Sequence, residues 1–360
     1  MAIEIKAMQP TDILCWDSYV ARNRMSTPYH LSGWQRVIEE SYGHSSHFLL
    51  ARKNRRLVGI LPLVHMKHLL SGNSLISLPF LDMAGVLADN DVIASCLIHE
   101  ALNLMHRVRA DAVELRQGGS FGTAQIRPES KQNLISRCSS SGDRVRMVIE
   151  LPDHSDLLMQ SFRSKLRSQV KKSIQSGLET RVGGVEFLDD FYRVFTINMR
   201  DLGSPVHSKI FLQNILELFP THSRIFVVYK GGEPVAGSII CTLNQTVYNP
   251  WASSLRKYQL FNPNMLLYWT MLEYGCNHGF SRFDFGRSME GSGPYRFKQQ
   301  WGAHPVRLCW VNFPNLSLHR PISAANADQP MFNVAVQLWK RMPVPISRML
   351  GPAIRKHIGL

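Results

Sequence analysis

The sequence predicts an α/β (α+β) protein made of two tandem domains, each a mixed sheet flanked by helices. Three observations support this prediction. At 360 residues and 41.0 kDa, the chain exceeds what one hydrophobic core usually serves. One order of elements, a hairpin followed by a strand region, a helix and a short strand, occurs twice. A basic amphipathic helix separates the two copies.

The two hairpins carry the repeat. The first, HFLLARKNRRLVGILPLV, contains two apolar strands around a polar turn, and Gly59 interrupts its second strand. The second, RIFVVYKGGEPVAGSIICTL, has the same order, and we place Gly237 at the position equivalent to Gly59. Helices are then expected at about residues 93–108 and 265–278, followed by the closing strands AVELR and RFDFGR.

The helix between the copies is FRSKLRSQVKKSIQSGL, in which every fourth residue is apolar: Phe162, Leu166, Val170 and Ile174. Its other faces carry five cations, namely Arg163, Lys165, Arg167, Lys171 and Lys172. Repeated cations on one helix favour an anionic substrate, and a solvated helix face is the equally simple alternative. A second helix is expected at about residues 189–200.

These patterns predict a first domain at residues 1–150, a second at 151–312 with the main active cleft, and a C-terminal arm at 313–360. The arm mixes large apolar side chains with Lys and Arg, and prolines divide it into short pieces. We expect it to pack on the N-terminal domain. Contact of the arm with a membrane surface is the alternative.

The composition limits the class of partner and the cellular compartment. Lys and Arg number 41 against 27 Asp and Glu, so the net charge of +14 favours polyanions or anionic surfaces. The six cysteines show no CxxC and no zinc-ligand spacing with histidine, which predicts a reducing compartment and no metal site. Charged residues near the N-terminus argue against a signal peptide, and the expected location is cytoplasmic.

The densest motif is RFDFGRSMEGSGPYRFKQQWGA, at residues 282–303. It joins a short strand, a glycine-rich turn and a cluster of aromatic and cationic side chains. Loops at the carboxyl ends of strands commonly carry ligand contacts, and glycines let a backbone approach a ligand closely. A hairpin stabilised by aromatic packing is the structural alternative.

FDFGRS followed by YRFKQQWGA, with LLYWTMLEYGCNHGF before it, resembles the Fem-type (FemAB-like) aminoacyltransferases. The similarity is closest to their relatives associated with exopolysaccharide synthesis in PEP-CTERM/exosortase systems. It extends from YHLSGWQRVIEESYGH to about Trp310 and is densest in the second half. The resemblance implies two tandem GNAT-like domains, in agreement with the repeat.

In that family a Phe-Lys pair at the position of Phe297 and Lys298 is implicated in stabilising the charge that develops during acyl transfer. Attack of an amine on an ester or thioester puts negative charge on the carbonyl oxygen, which a fixed cation stabilises. The resemblance therefore implies that Phe297 and Lys298 are catalytic. A phosphate contact or a surface position is the alternative for Lys298.

The resemblance also implies substrate-binding residues. Relatives that use nucleotide-linked precursors hold phosphates with basic residues, one shortly after a Trp and one in an Arg-Asp pair. These positions correspond to Arg36, after Trp34, and to Arg200, before Asp201; helix-surface arginines are the alternative. The remaining predicted contacts come from the basic helix and from the dense motif: Arg167, Asp284, Arg287, Tyr295 and Trp301. Mutual pairing of Asp284 and Arg287 is the alternative for those two residues.

The acyl donor stays open at this level. The glycine loop that holds the CoA pyrophosphate in ordinary acetyltransferases is missing, because SLRKYQLFNPNMLL stands before the second helix of the repeat. Asn262 or Asn264 is expected to cap that helix and to leave its N–H groups facing an anion. Asp284 and Glu290 are the nearest candidates for a general base, and deprotonation assisted by the substrate is the alternative.

The sequence thus predicts an N-acyltransferase that acts on an amine of a cell-envelope or exopolysaccharide precursor. The expected donor is a co-substrate, aminoacyl-tRNA or acyl-CoA, and no tightly bound cofactor is expected. Expected partners are an anionic nucleotide- or lipid-linked precursor, tRNA, and peripherally the inner face of the membrane. The alternative from another class is a non-catalytic binding or scaffold protein for a polyanionic or lipid-linked precursor.

Overall fold

The computed structural model describes residues 3–67, 72–118, 144–316 and 330–359. The chain divides into two compact units. The first comprises Met1–Arg144, Arg307–Asn326 and His357–Leu360, and the second comprises Val145–Val306 and Ala327–Lys356. Each unit contains a mixed sheet flanked by helices, and the first unit has an antiparallel sheet besides, so the predicted fold class is confirmed.

The first unit contains a four-stranded sheet in the order β1-β3-β4-β7 and a five-stranded sheet in the order β16-β8-β6-β5-β2. Its strands are β1 (Glu4–Ala7), β2 (Ser45–Ser46), β3 (Leu49–Lys53), β4 (Arg56–Leu61), β5 (Val64–Lys67), β6 (Asn73–Ile76), β7 (Leu87–Ala88), β8 (Ala112–Gln117) and β16 (Cys309–Pro314). Its helices are α1 (Ile13–Arg22), α2 (Trp34–Tyr42) and α3 (Asp91–Arg107). The apolar face of α3 covers the first core, because Ile93, Leu97 and Ala101 are buried there.

The second unit is built on one seven-stranded sheet in the order β10-β11-β12-β13-β14-β9-β15. Its strands are β9 (Arg144–Glu150), β10 (Leu178–Gly183), β11 (Ser223–Lys230), β12 (Glu233–Leu243), β13 (Thr246–Ser254), β14 (Arg282–Met289) and β15 (His304–Arg307). Its helices are α4 (Ser155–Ser161), α5 (Ser164–Gln175), α6 (Leu188–Leu202), α7 (Lys209–Leu218), α8 (Pro263–Asn277), α9 (Gly293–Gln300), α10 (Pro330–Arg341) and α11 (Val344–Arg355).

The basic helix between the repeats is α5, and its apolar stripe is shorter than expected. Leu166 and Val170 lie in the core of the second unit, and Phe162, just before the helix, packs there too. Ile174 is half exposed, because a spacing of four residues drifts round a helix of 3.6 residues per turn, and Ser173 takes the buried position instead. The expected helix at residues 189–200 corresponds to α6.

The two units exchange strands relative to the predicted boundaries. The expected boundary at residue 150 lies at the end of β9, yet β9 belongs to the sheet of the second unit. Conversely, β16 belongs to the first unit, where it pairs antiparallel with β8 from Cys309 opposite Gln117 to Pro314 opposite Ala112. The boundaries differ because the pattern of a single strand does not show which sheet it joins when its partner strands are distant in sequence.

The C-terminal arm also differs from the expectation. Its two helices, α10 and α11, contact α6 of the second unit rather than the N-terminal domain. Only the last residues belong to the first unit, where the Gly359 carbonyl accepts a hydrogen bond of 2.7 Å from the Phe80 backbone N–H. No helix within the described ranges is long and apolar enough to cross a bilayer.

The structural repeat is real, but the equivalence of Gly59 and Gly237 is off by one residue. In β4 the bulge leaves Val58 unpaired, directly before Gly59, which pairs with Ala51. In β12 the bulge leaves Val235 unpaired, and the residue directly after it is Ala236, which pairs with Val228. Successive strand residues point to opposite faces. Accordingly, Gly59 lies beneath α3, with Ile93 as its nearest neighbour, and Gly237 lies beneath Phe191 of α6.

We expect Gly59→Ala to destabilise the first unit. An added Cβ would lie 2.8 Å from the Ile93 Cγ2 atom and 3.0 Å from the Leu97 Cδ1 atom, so α3 would have to shift. Overpacking of this kind costs about 1–3 kcal/mol in the free energy of unfolding. Urea unfolding followed by circular dichroism measures it. Gly293→Ala is the control, because its Cβ would meet nothing within 4 Å; equal midpoints for both variants would contradict the packing argument.

Candidate active site

The central feature of the second unit is a fork between β13 and β14. These parallel strands pair only at Thr246 with Arg282, Val247 with Phe283 and Tyr248 with Asp284. Both strands continue beyond this point, β13 to Ser254 and β14 to Met289. We call the place where pairing stops the strand fork. Because ligands of α/β sheets commonly bind at the carboxyl ends of parallel strands, the strand fork is the candidate site.

A bulge in β13 lies at the strand fork. Tyr248 pairs with Cys241 and Trp251 pairs with Ile239, so Asn249 and Pro250 together face the single residue between those partners on β12. Pro250 has no N–H and cannot donate to a sheet ladder. Bulges bend a strand locally and are frequent next to active sites. The bulge therefore supplies a local reason for β13 to leave β14.

Gly286 lets the two strands approach closely just beyond their last pair. Its φ angle is +75°, and a Cβ at this position would lie 2.9 Å from the Asn249 carbonyl oxygen. A side chain would thus be strained both by the backbone conformation and by contact with a backbone atom. The glycine in FDFGRS is required by this close approach.

A buried ion pair lies beside the fork. The Asp284 side chain is 1% exposed, and one of its oxygens accepts a hydrogen bond of 3.0 Å from Arg146 Nη1 of β9. Its other oxygen accepts a 2.8 Å hydrogen bond from the Gly286 backbone N–H. Burial raises the pKa of the Asp284 carboxyl, and Arg146 acts in the opposite direction. The ion-pair partner that the structure gives Asp284 is Arg146, whereas the sequence alternative named Arg287.

Lys298 brings a second cation to the end of β14. Its Nζ atom donates hydrogen bonds to the carbonyl oxygens of Gly286, at 3.0 Å, and Arg287, at 2.8 Å. The side chain is buried, and α9 positions it because Ser292 caps that helix by accepting a hydrogen bond from the Tyr295 N–H. A buried ammonium acts at low dielectric, where its field on nearby groups is strong.

Aromatic side chains pack behind Lys298. The ring of Phe297 lies edge-on to Tyr268 with centroids 5.0 Å apart, and Tyr268 stacks on Phe285 at 5.6 Å. Burial raises the pKa of Tyr268 to about 12, so its hydroxyl stays protonated at neutral pH. This layer excludes water from one side of the fork.

Two buried donors at the fork have no hydrogen-bond acceptor among the described residues. They are Arg146 Nε and Ser288 Oγ. The Asn249 side chain lies between two partners, because its Oδ1 accepts a 2.8 Å hydrogen bond from Ser238 and its amide N–H faces the Tyr268 hydroxyl. Because an unpaired buried donor costs about 1–3 kcal/mol, such a group calls for an acceptor from a ligand or from water.

Two of the predicted substrate-binding residues are core residues instead. Trp301 is fully buried between Phe162, Trp269 and Tyr268. Trp34 is 1% exposed, and its Nε1 atom donates a 2.8 Å hydrogen bond to the Pro28 carbonyl. Neither ring can contact a substrate in this arrangement, because each is enclosed by its own unit.

The three predicted arginines outside the dense motif have local partners. Arg36 is exposed on α2 and pairs with Glu40 at 3.0 Å. Arg167 donates to the Gln160 and Phe162 carbonyls at 3.1 and 2.9 Å, and so satisfies carbonyls at the end of α4. Arg200 pairs with Asp201 at 2.7 Å and donates to the Met342 carbonyl at 3.0 Å. Each of them would have to exchange these partners to hold a phosphate.

The structure thus brings together one part of the predicted site. Asp284, Arg287, Phe297 and Lys298 lie at or beside the strand fork, and Tyr295 packs half-buried against the same core. Trp34 and Arg36 belong to α2 of the first unit. The sequence analysis missed Arg146, Asn249 and Tyr268. A proline inside an otherwise regular strand pattern, Pro250, was the signal for the fork.

The start of α8 differs from the expected side-chain cap. Neither Asn262 nor Asn264 caps α8 with its side chain. Within the part of the chain that the structure describes, no three His, Cys, Asp or Glu residues are grouped to hold a metal ion.

The comparisons with known proteins agree with this architecture. Residues 160–299 match the model of the acetyltransferase (GNAT) domain, a range that contains β13, β14 and α9. No curated protein matches the chain. The crystal structure of FemX is similar with a TM-score of 0.68 and 14% identity, over 93% of this chain and 100% of that one.

Two further solved structures share the fold. A tandem GNAT protein from the clavulanic acid biosynthesis pathway has a TM-score of 0.53 and 12% identity, over 89% of this chain and 100% of its own. The C-terminal domain of a putative lysylphosphatidylglycerol synthetase from Agrobacterium fabrum has a TM-score of 0.56 and 10% identity, over 85% and 93%. Together, the domain match and these tandem folds support a GNAT-like fold for the chain.

We expect Arg146→Met to destabilise the second unit by about 3 kcal/mol, because Asp284 keeps a buried charge without its guanidinium partner. The double variant Arg146→Met/Asp284→Asn should recover most of this loss. Chemical denaturation gives both values. The control is Arg282→Met, which changes an exposed arginine on β14, the strand of Asp284, and should stay within about 0.5 kcal/mol of the parent. A double variant no more stable than Arg146→Met would contradict the ion-pair assignment.

The loss in Arg146→Met should also depend on pH. An acid whose folded-state pKa is raised contributes stability below its ordinary pKa, and that contribution disappears as the pH rises through the raised value. Removing the guanidinium raises the pKa of Asp284 further. The variant should therefore be closer to the parent at pH about 4 than at neutral pH. A pH-independent difference in unfolding free energy would oppose this explanation.

Proposed function

We propose that this protein transfers an activated acyl group onto an amine of a cell-envelope or exopolysaccharide precursor, with the reaction at the strand fork. The observation that supports the proposal most directly is the group of cations and desolvated donors where β13 and β14 part. Lys298 and Arg146 supply positive charge there, and Arg146 Nε and Ser288 Oγ are buried donors without an acceptor among the described residues. The sequence resemblance to the exopolysaccharide-associated relatives supports the class of acceptor.

The chemistry follows from the charges. The amine nitrogen attacks the acyl carbonyl carbon, a C–N bond forms, and the carbonyl oxygen gains negative charge. When the intermediate collapses, the C–O bond of an ester or the C–S bond of a thioester breaks, and the proton of the amine ends on the leaving group. Fixed cations and donors in a dry site stabilise the oxyanion more than the starting carbonyl, which lowers the barrier.

The start of α8 favours an aminoacyl ester over acyl-CoA as the donor. An anion at a helix start is held by free N–H groups of the first turn. Pro263, the first residue of α8, has no N–H, and the Met265 N–H already donates to the Asn262 carbonyl at 2.9 Å. A pyrophosphate would find few donors there. A tRNA-borne donor instead suits a chain with a net charge of +14.

Lys298→Ala should lower kcat/KM by about 10²–10³-fold if the ammonium stabilises the oxyanion. Because Lys298 also joins α9 to β14, the thermal unfolding midpoint is measured in parallel, and Lys298→Arg serves as a variant that keeps the charge. Arg296→Ala, an exposed cation on the same helix, is the matched control and should change turnover little. Unchanged turnover in folded Lys298→Ala would leave Lys298 as a structural brace.

Two assays in parallel identify the donor. Transfer of a labelled amino acid from charged tRNA to a panel of amine acceptors should proceed, whereas thiol release from acetyl-CoA should not. Thiol release alone would overturn the choice of donor while keeping acyl transfer. Binding of precursor without turnover by either donor would favour the non-catalytic scaffold and contradict the proposal.

A further inference from the structure

The two C-terminal helices each have one face packed on the second unit. On α11, the residues that face inward are Ser347, Gly351 and Arg355, which are buried and spaced four apart. Arg355 donates a 3.1 Å hydrogen bond to His207, and a Cβ at Gly351 would lie 2.9 Å from Val206. Both α10 and α11 contact α6. The helices are therefore held in place by contacts within the folded protein.

The opposite faces of these helices expose large apolar side chains. Leu338 on α10 is 62% exposed and Met349 on α11 is 72% exposed. Together with their exposed neighbours they form what we call the C-terminal apolar face: Val334, Leu338, Ile346, Met349 and Leu350. The spacing of three or four residues within each helix places these side chains on one side of it. Contiguous exposed apolar surface of this kind marks an interaction site.

The charges on the two helices are all positive. Residues 330–359 contain five Lys and Arg and no Asp or Glu. Arg341 and Arg348 are exposed, whereas the stem of Lys340 lies near Gly203, directly after α6. Neither described helix is long and apolar enough to cross a bilayer. Short amphipathic helices with apolar and cationic residues are instead suited to the interface of an anionic bilayer. A second copy of the same face fits less well, because two such faces would bring cations against cations.

We propose that the C-terminal apolar face docks on an anionic lipid surface, with Leu338 and Met349 at the headgroup–acyl boundary and Arg341 and Arg348 on lipid phosphates. The inward faces are already packed, so docking does not require the helices to fold on the membrane. This docking does not depend on the proposed acyl transfer. It would bring a lipid-linked acceptor and the enzyme to the same surface.

Flotation of the full chain with vesicles tests the docking. The parent should float with phosphatidylcholine vesicles that contain phosphatidylglycerol and not with phosphatidylcholine alone. Leu338→Glu/Met349→Glu should lower the partition coefficient by about tenfold or more, because two apolar side chains no longer enter the interface. Arg341→Gln/Arg348→Gln should lower it by about fivefold for each cation and weaken its dependence on salt. Leu14→Glu, at an 83% exposed leucine of α1, is the matched control and should float like the parent.

The contrary outcomes are equally defined. The proposal fails if the parent does not float with anionic vesicles, or if Leu338→Glu/Met349→Glu floats like the parent. It also fails if that variant changes a dimer into a monomer in light scattering while vesicle binding stays the same, because the face would then be a subunit interface. Circular dichroism verifies that each variant is folded. Turnover with water-soluble substrates should be retained in the face variants, which separates this test from that of the catalytic proposal.

Discussion

The parting of β13 from β14 is the constraint on which the second unit depends. Parallel strands in one sheet normally stay paired, so a stable gap needs groups that satisfy the freed backbone and side chains. Here the bulge at Asn249 and Pro250 turns one strand away, while the Lys298 ammonium donates hydrogen bonds to two carbonyl oxygens of the other. Asp284 and Arg146 then keep the last pair of the ladder in place. The residues that hold the strand fork are therefore also the ones on which the proposed acyl transfer depends.

Local patterns predicted most of the fold. Hairpins, the two central helices and the basic helix were visible because each depends on apolar spacing within a short stretch. What the sequence could not show is which sheet β9 and β16 join, since both pair with segments distant in sequence. The register of the glycines was likewise hidden, because one residue along a strand exchanges its two faces.

The site was predictable only in part, and the reason differs between residue types. A Trp near cations in the sequence suggests a ligand contact. Large aromatic rings, however, contribute most to the stability of the folded state when they fill a core, as Trp34 and Trp301 do. Arginines with predicted phosphate contacts instead satisfy helix carbonyls or nearby carboxylates, as Arg167 and Arg200 do. Arg146 lies far from Asp284 in the chain, so no local pattern reveals their pair.

The membership of β16 in the first unit and of β9 in the second has a consequence for the order in which this chain can fold. The first unit needs β16, and the second needs β9 as well as the helices after residue 330. A ribosome that has released only the first 150 residues has therefore not yet supplied the last strand of the N-terminal sheet. Such sequence-distant pairings slow folding and expose strand edges until the partner strand arrives. A fragment that ends at residue 150 would lack β16 and carry β9 without its sheet, and the complementary fragment would lack β9. The two units are therefore not separable modules at that boundary.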